Sequence, residues 1–293
     1  MLRSIFHCGS DHTLPCCCRI GASNLATWEP DIAHQPDGVP DDHPLIQGIH
    51  YWSTGFVIHE QVVATVAHAP RSPLVMGDRV VLPGCSAGEK SGVYYPQRVL
   101  RVRRILDHPR ASTGLGFDVR LLILHHDATP AATSVREEVS KRKGSLVEMT
   151  KPADNFKIFG YKAETAAPRQ AAFKNKMRCA RLSRDWESAG RHGHSRPEEF
   201  VVAPQSDKKS GPPLPSAEFG DSGAPVTIEV NGVDRVAGMY VRRSTNRPVS
   251  DNPDLVVIQL HPQLREWAVA ALDRFDIEIP LGAEETPPLA SAP

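Results

Sequence analysis

Short runs of β-branched and aromatic residues, several of them alternating with polar residues, dominate the chain from residue 49 onward. Residues 50–58 and 61–67 form two such runs, and the polar pair between them predicts a hairpin turn. Residues 97–106 alternate basic and apolar side chains, which places one strand face in a core and the other in water. Further strands are predicted at 79–82, 119–124, 145–149, 156–159, 199–203, 224–230, 235–241 and 255–260.

Only one segment shows helical periodicity in this pattern. Between residues 261 and 275 the apolar side chains recur at the spacing of an amphipathic helix. Residues 129–143 are polar and charged, and we interpret them as a connection between two halves, about 48–135 and 144–260. Many short strands with one late helix predict an all-β fold, either two barrels or a sandwich.

The ends of the chain have a different texture. Residues 1–47 are polar and interrupted by prolines, so we expect a partly disordered extension that precedes a domain at 48–277. Residues 278–293 are expected to be a disordered tail. Four of the six cysteines lie within the first 18 residues, so the remainder can form at most one disulfide bridge and must rely on packing.

Charge and hydropathy exclude several classes of partner. The chain has 34 basic and 34 acidic residues, and a net charge of zero argues against nucleic acid or an anionic membrane surface. No apolar run approaches the roughly 18 residues that a membrane span needs, and the N-terminus lacks the apolar stretch of a secretory signal. These features slightly favour the cytoplasm but leave the compartment and the oligomeric state open.

Three short motifs carry candidate chemistry, in the order His, Asp, Ser. His68 directly follows an apolar strand, Asp118 precedes another, and Ser222 lies in a turn between glycines, in the run Gly220-Asp-Ser-Gly-Ala-Pro. A serine hydroxyl is a weak nucleophile and needs a base within hydrogen-bond reach. Imidazole can accept that proton and return it to a leaving group, and a carboxylate can orient the ring. Each residue alone has an ordinary structural explanation, so the set carries the argument.

The three motifs resemble those of the trypsin/chymotrypsin-like serine proteases, over about residues 48–275. The residues that carry the likeness are Thr65-Val-Ala-His68, Asp118-Val-Arg-Leu-Leu122, Gly220 to Pro225 and the closing helix with Trp267. The resemblance implies two six-stranded antiparallel β-barrels, a barrel 1 and a barrel 2, with a C-terminal helix. It also implies a serine endopeptidase in which His68, Asp118 and Ser222 form the triad. The amides of Gly220 and Ser222 would then form the oxyanion hole, and no cofactor or metal is expected.

Departures from the family pattern bear on substrate and turnover. By the resemblance, Ser216 lies at the floor of the specificity pocket, where a neutral residue argues against strict cleavage after Lys or Arg. Val241 stands where the family has a serine that hydrogen-bonds the acid. Arg242 and Arg243 come next, at positions where residues of the family line the substrate cleft. Two arginines there would favour acidic substrate side chains. These three departures keep open a second interpretation, a catalytically weak or inactive binding or regulatory module on the same fold.

The N-terminal cluster of His7, Cys8, His12 and Cys16 to Cys18 could bind a metal or carry a lipid, but it lacks the ligand spacing of a standard zinc site. We therefore treat both as minority interpretations.

Overall fold

The computed structural model describes twelve segments of the chain: residues 14–23, 37–40, 42–68, 77–87, 93–113, 116–125, 130–147, 156–161, 177–184, 198–204, 221–243 and 255–279. Within them lie fourteen strands, three helices and one short 3₁₀ turn at Ala111–Thr113. None of the described helices is both long enough and apolar enough to cross a bilayer.

Six antiparallel strands close into an N-terminal barrel in the order β1-β2-β3-β8-β7-β4. Its strands are β1 (Cys17–Ser23), β2 (Ile49–His59), β3 (Val62–Thr65), β4 (Arg79–Leu82), β7 (Arg98–Asp107) and β8 (Arg120–Leu124). Two short strands, β5 (Cys85–Ala87) and β6 (Val93–Tyr95), form a separate hairpin. The prediction of an all-β fold with a closed six-stranded antiparallel barrel is confirmed.

The remaining six strands pair in the order β10-β11-β14-β13-β12-β9, and β9 also pairs with β10. We call this set the C-terminal sheet. Its strands are β9 (Phe156–Gly160), β10 (Arg178–Arg184), β11 (Glu199–Pro204), β12 (Pro225–Val230), β13 (Val233–Arg243) and β14 (Leu255–Gln259). One hydrophobic cluster contains buried residues of both strand sets, Phe56 and Val57 with Met239 and Ile258 among them, so the two halves pack against each other.

The helices are α1 (Pro44–Gln47), α2 (Pro130–Lys141) and α3 (Pro262–Asp273). Helix α3 confirms the predicted C-terminal helix, and it buries Leu264, Ala268 and Leu272. Helix α2 lies in the stretch that the sequence pattern indicated as a plain connection. It is helical because Ala132, Val135 and Val139 form a buried stripe at helical spacing, although its other positions are mostly polar.

Strand β1 corrects the predicted N-terminal extension. It lies inside residues 1–47, yet it pairs with β2 and β4 and closes the barrel. Cys16, Cys17 and Cys18 are buried thiols outside any disulfide, whereas Cys179 is disulfide-bonded. The predicted strand at 145–149 is also wrong in its described part, because residues 145–147 make only an isolated bridge between Leu146 and Val236. All but the first two residues of the disordered tail predicted at 278–293 lie outside the described residues.

Candidate active site

His68 and Asp118 lie next to the ends of two neighbouring strands of the N-terminal barrel. Strand β3 ends at Thr65, three residues before His68, and β8 begins at Arg120, two residues after Asp118. The two strands pair with Thr65 opposite Arg120. The end of one strand therefore lies beside the beginning of the other, and this register brings the imidazole and the carboxylate together.

The Asp118 carboxylate holds both the ring and the backbone of His68. Its Oδ2 accepts the hydrogen bond from Nδ1 of His68. Its Oδ1 accepts from the backbone N–H groups of His68 and Ala67, at 2.9 and 3.0 Å. The Asp118 side chain is 10% exposed and that of His68 is 42% exposed. One buried anion thus fixes which nitrogen of the ring carries a proton, and the ring still reaches solvent.

An aromatic layer packs beside Asp118. Phe117 stacks on His108 with ring centroids 4.7 Å apart, and His108 meets Trp267 of α3 edge-on at 4.8 Å. The Arg110 guanidinium lies 3.8 Å from the centroid of Phe117. Burial lowers the pKa of His108, and the charges of Arg110 and His261 lower it further. The residue before Asp118 is therefore held in a packed layer.

Ser222 lies in a turn that precedes β12 of the C-terminal sheet, and it is half-buried. Its backbone carbonyl accepts a hydrogen bond from Thr54 N of the N-terminal barrel at 2.9 Å, and Gly223 N donates to Tyr240 O at 2.8 Å. Gly223 has a φ of +90°, and a Cβ at this position would overlap the carbonyl oxygen of Thr54. The turn therefore requires a glycine after the serine, for both its conformation and its close packing.

Two threonines connect this turn to the strand that leads to His68. Thr65 Oγ1 donates to Thr54 O at 2.8 Å, and Thr54 Oγ1 accepts from Tyr161 N at 3.2 Å. Both threonines are fully buried. Thr54 thus contacts the Ser222 turn, β3 and Tyr161, the residue that follows β9. These bonds connect the candidate nucleophile to the strand that precedes the candidate base.

Asp221 is buried behind Ser222 and shapes its surroundings electrostatically. Its Oδ1 lies against Gly160, where a Cβ would be 2.5 Å away. Burial, together with the charges of neighbouring groups that include Asp221, raises the pKa of Cys17 well above its usual value. Burial also raises the pKa of Tyr240 to about 12. Cys17 and Tyr240 are thus protonated at neutral pH.

A cavity of about 690 Å³ brings part of the predicted set together. It is lined by Ala67, His68, Asp107, Ala111, Ser112, Thr113, Asp118, Val241 and Arg242. Val241 is buried, and its apolar side chain offers no donor to Asp118. Among the described residues, Ser222 and Arg243 are not part of this lining, and Arg243 is exposed at the end of β13. Gly220 and Ser216 lie outside the described residues.

Two ion pairs border the cavity. Asp107 binds Arg120 through both oxygens, with nitrogen–oxygen distances of 2.5 and 2.9 Å. Arg242 binds both oxygens of Glu199, at 2.9 and 2.8 Å.

Sequence reasoning missed Thr54, Thr65 and Glu199 as parts of the site. The available signal was a polar residue within an apolar strand, which is expensive to bury unless it is hydrogen-bonded.

Within the described segments, no cluster of three or more His, Cys, Asp or Glu side chains has the geometry to bind a metal ion. Of the N-terminal cluster, His7, Cys8 and His12 fall outside those segments. Comparison with known protein families and with curated proteins found no match. The geometry of the site therefore carries the functional argument.

Proposed function

We propose that this chain is a serine endopeptidase of trypsin-like, two-barrel architecture that cleaves peptide bonds through an acyl-enzyme. The observation that carries the proposal is the double use of the Asp118 carboxylate, which binds Nδ1 of His68 with one oxygen and the amides of Ala67 and His68 with the other. This arrangement leaves Nε2 of His68 as the nitrogen that can accept a proton.

In the proposed mechanism, Ser222 Oγ bonds to the carbonyl carbon of the scissile peptide while its proton passes to Nε2 of His68. The carbonyl oxygen becomes an oxyanion, and the amides of Gly220 and Ser222 stabilise it by hydrogen bonds. His68 then donates its proton to the leaving amine as the C–N bond breaks. Water repeats the sequence on the ester, and the acid product and Ser222 are released.

The position of the Ser222 turn supports this assignment. The turn is hydrogen-bonded to Thr54, and Thr54 is hydrogen-bonded to Thr65, three residues before His68. This anchoring holds the Ser222 turn beside the strand that leads to His68, and the proposal adds that Ser222 Oγ meets Nε2 of His68. Catalytic hydrogen bonds are often long without substrate and shorten when it binds.

The Arg242–Glu199 pair changes the expected substrate preference. Arg242 lines the cavity beside His68, but its charge is balanced by a Glu199 side chain that is only 2% exposed. An arginine neutralised in this way attracts acidic substrate side chains less than an unpaired one. We therefore expect a broad preference instead of a strict requirement for acidic residues, and cleavage of a proteome-derived peptide library would measure it.

One observation favours the alternative, a protease-fold module that binds without turnover. Val241 lines the cavity with Asp118 and offers it no hydrogen bond. Such a module would bind peptides through the same cleft and leave Ser222 unreactive.

A fluorophosphonate probe separates the two functions, because it forms a covalent bond only with an activated serine. We expect the wild type to be labelled and Ser222→Ala to be unlabelled. The matched control is Ser112→Ala, which removes another hydroxyl from the cavity lining and should keep its label. Equal labelling of wild type and Ser222→Ala, or no labelling of a folded wild type, would contradict the peptidase proposal.

A further inference from the structure

A buried carboxylate joins three segments around the cleft. Besides the two bonds from Arg242, Oε1 of Glu199 accepts the backbone N–H of Gly116 at 2.8 Å. Glu199 begins β11, Arg242 lies near the end of β13, and Gly116 belongs to the segment that leads into Asp118. A carboxylate is stable in a buried position when it is paired and hydrogen-bonded, as Glu199 is.

Gly116 is held through both its N–H group and its carbonyl oxygen. Its carbonyl oxygen lies 3.0 Å from Nε2 of His261, the residue that caps α3 by accepting from Leu264 N through Nδ1. Gly116 has a φ of +71°, and a Cβ there would overlap the side chain of Glu198. With this residue fixed by Glu199 and His261, only Phe117 separates it from Asp118.

We propose that Glu199 is a positioning residue for the His68–Asp118 pair. By holding the Gly116 amide and the Arg242 guanidinium together, it sets where the Asp118 carboxylate meets the imidazole and fixes the adjoining cleft wall. Its effect on the pair does not depend on the reaction catalysed, whereas its effect on rate rests on the proposed peptidase function.

The test uses a spectroscopic signature of the pair together with kinetics. The Nδ1 proton shared by His68 and Asp118 is strongly deshielded, so it gives a downfield proton NMR resonance, assigned by its loss in Asp118→Asn. We expect Glu199→Gln to shift or broaden this resonance, because a neutral amide weakens the hydrogen bonds that Glu199 accepts from Arg242 and Gly116. On a peptide substrate, we expect kcat to fall about 10- to 100-fold with KM changed less than about threefold.

Glu138→Gln is the matched control. Glu138 also holds buried arginines, Arg98 and Arg142, but it lies on α2 and is bonded to no residue of the 116–118 segment. It should lower the melting temperature without moving the resonance or kcat. If Glu199→Gln does not fold, Glu199→Asp serves instead, because it keeps the charge but is too short to hold Arg242 and Gly116 together.

An unchanged resonance and kcat in the folded Glu199 variant would overturn the proposal, and so would equal changes in Glu138→Gln. A wild type that shows the resonance but is not labelled by fluorophosphonate would overturn the peptidase function alone. The resonance of the Glu199 variants would then still decide the positioning role.

Discussion

The candidate base and the candidate nucleophile are held in different ways. His68 and Asp118 both come from the N-terminal barrel, and the Asp118 carboxylate accepts three hydrogen bonds, two from His68 and one from Ala67. The Ser222 turn belongs to the C-terminal sheet, and its described bonds run through the backbone to Thr54 and Tyr240. The position of the candidate base depends on one charged side chain, whereas the position of the candidate nucleophile depends on the backbone conformation and packing of its turn.

This difference separates two kinds of mutational damage. A substitution that keeps shape and changes charge should damage the base and spare the nucleophile turn. A substitution that adds one methyl group should do the reverse. If both halves responded in the same way to both changes, the contrast would be wrong.

The largest effect is expected from Asp118→Asn. An amide of the same size can still accept from Ala67 and His68 with its oxygen, but its NH₂ group then faces Nδ1 of His68. The ring must accept there, so its proton moves to Nε2, which can no longer serve as a base. We expect kcat on a peptide substrate to fall about 10⁴-fold, as in serine proteases with the same substitution, while the melting temperature changes little.

Asp107→Asn is the control for the loss of a charge in the same cavity. Asp107 binds Arg120, not His68, and its side chain is about half exposed. We expect less than about a tenfold loss of kcat for this variant. Similar losses for the two variants would mean that the cavity's total charge, and not the orientation of His68, governs the rate.

A smaller effect, mainly on stability, is expected from Gly223→Ala. The new methyl group would collide with Thr54 O and lie 2.6 Å from Thr65 Oγ1, at a φ of +90°. Strain and overpacking together should cost about 3–5 kcal/mol in the free energy of unfolding, measured by urea denaturation. Fluorophosphonate labelling should decrease in the fraction that remains folded, because the turn has moved.

Gly232→Ala isolates the conformational part of that cost. Gly232 has a φ of +77° in the turn between β12 and β13, and nothing lies within 4 Å of a Cβ placed there. This variant should lose only about 1 kcal/mol and keep its label. An equal loss at the two glycines would remove the argument for close packing at Thr54.

The sequence predicts the base half better than its supports. His68 and Asp118 lie next to the ends of strands with strong apolar patterns, so a local signal locates them. The register of β3 with β8 then brings the two side chains together. Thr54 and Glu199 act through partners far along the chain, and Thr65 acts through Thr54. Their roles depend on tertiary packing, which no local pattern encodes.

Strand β1 and helix α2 escaped prediction because each has a charged residue whose partners lie inside the fold. Arg19 of β1 is 1% exposed, and its guanidinium lies 4.3 Å from the ring centroid of Tyr51 and binds Gln97. Glu138 of α2 pairs with the buried Arg98 and Arg142. A charged residue in a sequence indicates solvent exposure unless its partner is known. Here the partners are distant along the chain, except Arg142, which follows Glu138 by four residues.

The last prediction is that the two halves lose stability at opposite ends of the pH range. The pKa of His108, beside the base, is lowered by burial, so folding favours its neutral form. The stability that depends on this neutral form is complete above about pH 6.5 and is lost as the pH falls below that value. The pKa of Tyr240, beside the nucleophile turn, is raised from 10.0 to about 12. Its contribution is complete below pH 10 and is lost between pH 10 and 12, by roughly 3 kcal/mol.

Single variants show which residue causes the decline of stability at acid pH and which causes the decline at alkaline pH, the acid and alkaline limbs of the profile. Stability is measured by urea denaturation at a series of pH values. His108→Asn keeps an acceptor for the Arg110 amide but cannot titrate, so the decline below pH 6.5 should become shallower. It should not vanish, because burial also lowers the pKa of His59. Tyr240→Phe should flatten the alkaline decline and leave the acid limb unchanged. If His108→Asn changed the stability at alkaline pH, or Tyr240→Phe changed it at acid pH, titration in one half would affect the other half. The prediction that the two halves titrate independently would then be wrong.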